Sequence, residues 1–214
     1  MKWQLGIDLM FSWLLMWPQI GFGRQVGNEH RVRLTLVVRD QANVNLESLA
    51  VANHAVNHIM GDAGFDVVWI DAGDLLNADF PPVPGSSRQN SVPTDGYFAV
   101  VITPLAVKGS STTEAGFAAV RTGRYRRAYV FYDRVKMFSN TIEVIPNNKT
   151  VGIVLGHVIA HELGHLLIPG DAHTPVGIMR GEWDYRQWKM AAAGTLLFDP
   201  TQAKLMRDQL QASH

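Results

Sequence analysis

The chain has 214 residues, 47% hydrophobic and 18% charged, which suits one packed globular domain and argues against intrinsic disorder. Nineteen Lys and Arg balance nineteen Asp and Glu, so the basic footprint of a protein that grips a phosphate backbone is missing and nucleic acid is not expected as a partner. There is no cysteine, which excludes disulfide scaffolds, Cys-ligated zinc fingers, iron–sulfur clusters and thiol nucleophiles, and leaves the compartment open.

At the N-terminus, Lys2 precedes an apolar run from Leu9 to Trp17, and Gly21-Phe22-Gly23 stands just before Arg24. A positive start, a short apolar middle and small residues at a cleavage point are the layout of a secretory signal over residues 1–23. The run is about half the ~20 apolar residues of a membrane span, so stable membrane insertion is not expected. Asp8 and Pro18 are unusual inside a signal; an N-terminal arm packed on the domain and a short anchor are the other readings. The expected location is secreted or periplasmic, or cytoplasmic if the run is not a signal.

From Arg31 to Val38 the chain is rich in β-branched residues and partly alternating, which predicts a strand. Asn45 can cap a following helix, in which Leu49, Val56, Ile59 and Met60 recur at helical spacing and Gly61 and Gly64 supply a stop. Phe65 to Ile70 reads as a second, buried strand, completing a right-handed βαβ unit. Turn formers dominate 80–87 and 93–96. Tyr97–Ile102 and Ala128–Val135 read as further strands, with 116–120 as one more, joined to the last through a turn at Gly123. A helix over about Val151–Leu167 follows, with Thr150 or Asn148 as its cap. Near the C-terminus Asp199-Pro200-Thr201-Gln202 carries a cap, a proline at the first helical position and Gln at the third, and Ala203, Met206 and Leu210 give that helix one apolar stripe.

The segment that carries chemistry is His161-Glu162-Leu163-Gly164-His165. Positions four apart on an α-helix differ by about 40°, so both imidazoles leave one face and can ligate one zinc at about 2.0–2.1 Å. Glu162 lies about 100° round from His161, poorly placed as a ligand but able to reach a water in an open coordination position. Zinc lowers the pKa of such a water to around 7, and a carboxylate there acts as general base towards it. The surrounding helix is strongly apolar, where two imidazoles and a carboxylate are costly to bury without a partner such as a metal. A catalytic zinc takes a third protein ligand, and Asp171, His173 and Glu182 are the candidates.

These residues give the chain a resemblance to metzincin metalloproteases, whose pattern is His-Glu-x-x-His-x-x-Gly-x-x-His followed by a methionine turn. Here Gly-x-x-His occurs as Gly170-Asp171-Ala172-His173, two residues downstream, and Ile168 stands at the family's glycine. Pro169-Gly170 can make the required break half a turn later, so that ligand position follows the bend and falls on His173. Asp171 holds the third-ligand position by count, as in snapalysin-like relatives; otherwise it orients a ligand or caps the turn. Gly177-Ile178-Met179 matches the methionine turn. The likeness covers about Gly152 to Arg180 and is nearest to archaemetzincin-like bacterial proteins, without the cysteine cluster that would imply a second, structural zinc.

The remaining residues read more plainly. His157 stands on the active helix, drifts too far round to share the metal, and is a core or supporting residue. His54 and His58, four apart with no acid between them, belong to a surface or a packing contact. Tyr185 is expected to pack with Trp183 and Trp188 rather than to steady an oxyanion. Arg121, Arg124, Arg126 and Arg127 read as a solvated hairpin end.

The expected fold class is therefore α/β (α+β) and zincin/metzincin-like. It comprises a twisted mixed sheet of four to five strands, a backing helix, an active-site helix and a small C-terminal subdomain ending in a helix. Residues 24–214 form one metalloprotease domain, upper part 31–168 and lower part 169–214. The resemblance implies a monomeric endopeptidase with one catalytic Zn2+ on His161, His165 and His173, Glu162 as general base, Met179 beneath the metal, and a peptide or protein substrate. The alternatives are a catalytically idle secreted binding module on the same fold, or a zinc amidohydrolase acting on a non-protein amide.

Overall fold

A computed structural model describes residues 31–72, 97–111, 113–122, 125–143, 147–168, 170 and 172–212. The segment read as an export signal, the turn-rich stretches at 80–87 and 93–96, Gly123, Arg124, Pro169 and Asp171 lie outside the described residues. Along the chain the elements are β1 (Val32–Asp40), α1 (Leu46–Asp62), β2 (Phe65–Asp71), β3 (Tyr97–Thr103), β4 (Gly116–Thr122), β5 (Tyr125–Phe131), α2 (Tyr132–Ile142), α3 (Asn148–Leu167), α4 (Tyr185–Ala192) and α5 (Pro200–Gln211).

The strands form one mixed sheet in the order β2-β1-β3-β5-β4. β1 sits between parallel β2 and β3, with Val32 opposite Phe65 and Thr35 opposite Tyr97. Its alternation turns Leu34, Leu36 and Val38 into the core, where all three are fully buried. β4 runs antiparallel to β5 and forms the edge, Gly116 facing Val130.

α1 starts where Asn45 accepts from the Glu47 amide at 2.9 Å, and it buries Ala52, Val56, Ile59 and Met60. α3 is apolar on nearly every side and runs through the core. It is long and apolar enough to cross a membrane, but 83% of that window is buried inside the protein, as in a core helix. α1 and α3 approach closely because α3 offers glycine at the contact: a Cβ on Gly156 would lie 2.6 Å from Ala55 Cβ and 2.8 Å from the Ala52 carbonyl. This contact sets the depth at which α3 carries its histidines under the sheet.

Three expectations change. The strand expected at 128–135 begins at Tyr125 and stops at Phe131; Tyr132–Val135 form the first turn of α2, with Val135 fully buried. A β-branched valine suits either element, so composition alone did not mark the switch. α3 starts earlier than Val151 and is capped by Asn147, whose side chain accepts from the Thr150 amide at 2.9 Å, leaving Asn148 and Thr150 inside the helix. α4 is an additional helix, capped by Asp184.

α5 has the expected capping box: Asp199 accepts from the Gln202 amide at 3.0 Å while the Gln202 side chain accepts from the Asp199 amide at 2.9 Å. Ala203, Met206 and Leu210 are buried. Arg207 donates to the Ala63 carbonyl at 2.6 Å, tying α5 to the end of α1.

Candidate metal centre

α3 projects His161 and His165 from one face. It stops after Leu167 because Ile168 precedes a proline, which favours extended backbone (φ −90°, ψ 122°) over helix. Gly170 then takes a left-handed conformation (φ 76°). The break therefore falls at Ile168 itself and not half a turn later, and the left-handed residue follows two positions on. The returning chain brings His173 to the other two histidines, so that one ligand atom from each lies within 4.8 Å of the others. The rings of His165 and His173 are 4.6 Å apart, and those of His161 and His173 5.8 Å.

The Nδ1–H of His161 donates to the Ile178 carbonyl at 2.7 Å, which leaves a lone pair on Nε2, 3.1 Å from Nε2 of His165. Burial, followed by the nearby His165, pushes the His161 pKa down to about 3, so the ring is neutral. Three converging imidazoles, at least one with its lone pair fixed inward and none competing with a thiolate, fit a zinc-type ion.

Glu162 is 3% exposed, and its Oε2 has no hydrogen-bond partner among the described residues. Burial, then the charge of Glu114, holds its carboxyl well above the usual carboxylate range. The carboxylate and the three histidines line one cavity of about 620 Å³, bordered by Gly116, Phe117 and Ala118 of β4 and by Trp183.

Met179 is fully buried against α3, where a Cβ on Gly164 would collide with its Sδ. Met179 is held by a tight turn: its carbonyl accepts from the Thr174 amide at 3.0 Å, Gly177 is left-handed (φ 72°), and the Ile178 amide donates to Leu197 O at 2.9 Å. Gln202 of α5 secures the turn from outside, donating to Thr174 Oγ1 at 2.6 Å. The Ile178 carbonyl also accepts from Trp183 Nε1 at 3.1 Å, a supporting role that the sequence alone did not reveal.

Other candidates separate from this cluster. Glu182 borders the cavity but is exposed and stands outside the three-histidine group. His157 is a core residue, its Nδ1 on the Ile153 carbonyl at 2.8 Å. His54 and His58 are exposed on α1. Trp183 and Trp188 pack together at 4.8 Å, but Tyr185 is 57% exposed and does not share their burial. Arg126 and Arg127 are half-buried rather than a solvated hairpin end: Arg126 donates to Leu166 O at 3.1 Å, satisfying a carbonyl of the last turn of α3, and Arg127 reaches the Tyr129 hydroxyl.

No protein-family model and no curated protein matches the chain. Solved structures do. A zinc-dependent peptidase from Methanocorpusculum labreanum superposes with a TM-score of 0.54 at 14% identity, over 80% of this chain and 99% of that one. Archaemetzincin from Methanopyrus kandleri superposes with a TM-score of 0.51 at 14% identity, over 87% of this chain and 99% of its own. The mixed sheet and its helices, five strands and five helices among the described residues, thus have the zincin-like fold of these two proteins.

Proposed function

We propose that the chain is a zinc-dependent endopeptidase, with His161, His165 and His173 as metal ligands and Glu162 as general base. The observation that carries this reading is the convergence of three imidazoles within 4.8 Å beside a buried carboxylate whose Oε2 has no partner among the described residues. The zinc peptidases that share the fold support it.

Zinc, when bound, supplies Lewis acidity for a carbonyl oxygen and acidifies a water. Ile178 holds the ring of His161 in the ligating tautomer. Glu162 accepts at Oε2, which has no partner among the described residues, the proton released by the water that attacks the peptide carbonyl, and returns it to the leaving amine. β4 forms the sheet edge beside the cavity and offers main-chain groups on which an extended peptide lies as an added strand. Met179 packs fully buried against Gly164 of α3, between the two histidines of the helix in sequence. The same reading takes 24–214 as one monomeric catalytic domain, upper part 31–168 and lower part 169–214, exported by means of residues 1–23.

Metal analysis of the purified chain, alongside digestion of an unstructured protein such as casein, tests this reading. The expected result is one zinc per chain, with cleavage abolished by a chelator and restored by zinc. Zinc without cleavage of any peptide would favour a binding module or an amidohydrolase. Cleavage indifferent to chelation would contradict the reading outright.

A further inference from the structure

We infer that Gly116, the first residue of edge strand β4, is a positioning residue for Glu162; the inference rests on the reading of Glu162 as general base. Its backbone is not left-handed, so any L-residue could adopt it, and the reason for glycine is space. A Cβ at this position would lie 2.7 Å from Glu162 Oε1 and 3.0 Å from its Cδ, closer than such atoms approach. The nearest atom of all would be the Tyr129 carbonyl oxygen at 2.5 Å, on the paired strand β5, so the Cβ would be pressed from the strand and from the carboxylate together.

The carboxylate therefore lies directly against the bare backbone of β4. Glu162 is 3% exposed on a helix buried on nearly every side, so the direction left open to it is the cavity that it lines with the histidines. Oε1 rests against Gly116, while Oε2 has no partner among the described residues and the side chain lines the cavity shared with the histidines. A methyl group at 116 would turn the carboxylate and shift the edge strand on which a substrate would lie. Gly116 thus sets both the aim of the proton acceptor and its distance from the peptide-binding edge. Small misplacements of this kind cost rate even when every reacting group is retained.

A four-protein cycle tests the inference: wild type, Gly116→Ala, Glu162→Ala and the double variant, each zinc-loaded and read by zinc content, thermal unfolding and steady-state kinetics. Gly116→Ala is expected to keep one zinc, to lose at least tenfold in kcat, and to hold KM within about threefold. Its fall in Tm should be smaller when Glu162 is already alanine, by the share of the obstruction that the carboxylate contributes, the Tyr129 carbonyl being present in both backgrounds. If Gly116→Ala does not fold, the double variant should; failure of both would place the obstruction at Tyr129 and overturn the inference. Equal Tm losses in the two backgrounds, or wild-type kcat in Gly116→Ala beside an inactive Glu162→Ala, would also overturn it. Full activity in Glu162→Ala would instead bring down the reading of Glu162 as base, and with it the role given to Gly116.

Discussion

His161 and Ile178, 17 residues apart, are joined by a 2.7 Å hydrogen bond from the imidazole Nδ1–H to the main-chain carbonyl. The bond fixes the ring so that its second nitrogen faces His165 and the arriving His173. Alanine at 161, 165 or 173 should each weaken zinc binding at least tenfold, as measured by competition with a chromophoric chelator. Asp171→Ala should weaken it less than His173→Ala does. The reverse order would transfer the third ligand to Asp171.

Met179 and Gly164 are in such close contact that a methyl group on Gly164 would overlap the thioether and lie 3.0 Å from the Phe198 ring. Overpacking of this kind costs about 1–3 kcal/mol, against a gain of about 1 kcal/mol in helix propensity. Gly164→Ala should therefore destabilise the protein by about 1 kcal/mol in urea unfolding. Met179→Leu, which nearly conserves volume, should cost less than about 1.5 kcal/mol. A stabilised Gly164→Ala would mean that the turn that carries Met179 yields freely.

Burial of His157 lowers its pKa from 6.5 to about 4. The folded ring is neutral while the unfolded ring takes a proton below pH 6.5, so stability declines as pH falls through that window and levels off below about 4. A shift of that size corresponds to about 3 kcal/mol. His157→Leu should flatten the stability–pH curve between pH 7 and 4 by about that amount relative to wild type. Parallel curves for the two proteins would show that His157 makes no contribution to acid sensitivity.

Gln202 closes the α5 capping box and also holds Thr174 and the Val176 carbonyl, at 2.6 and 3.2 Å, from a position only 2% exposed. Asp199→Ala removes a cap worth about 1 kcal/mol. Gln202→Ala additionally strips a buried donor from the turn that carries Met179, which adds about 1–3 kcal/mol. Chemical denaturation should rank Gln202→Ala below Asp199→Ala in stability; equal losses would confine the role of Gln202 to the helix cap.

Elements with strong local signals were legible in the sequence. The Asp199–Gln202 box, the Asn45 cap and the alternation of β1 appear where they were expected. The approach of His173 followed from the Ile168-Pro169-Gly170 break, although the structure puts that break at Ile168. α2 was hidden because it follows β5 without a side-chain cap: Phe131 serves as N-cap with no side-chain hydrogen bond, and Tyr132 and Val135 read equally well as strand. α4 has eight residues, too few turns for a helical period to stand out. The contacts of Glu162 with β4, and the double use of the Ile178 carbonyl, join distant segments and leave no local trace.

Hydrolysis of an unstructured protein by Glu162→Gln, with zinc measured on the same sample, tests the central claim most directly. The variant keeps the size of the side chain and removes its basicity. One zinc per chain together with a fall in turnover of at least a hundredfold is the predicted result; one zinc per chain with wild-type turnover would contradict it.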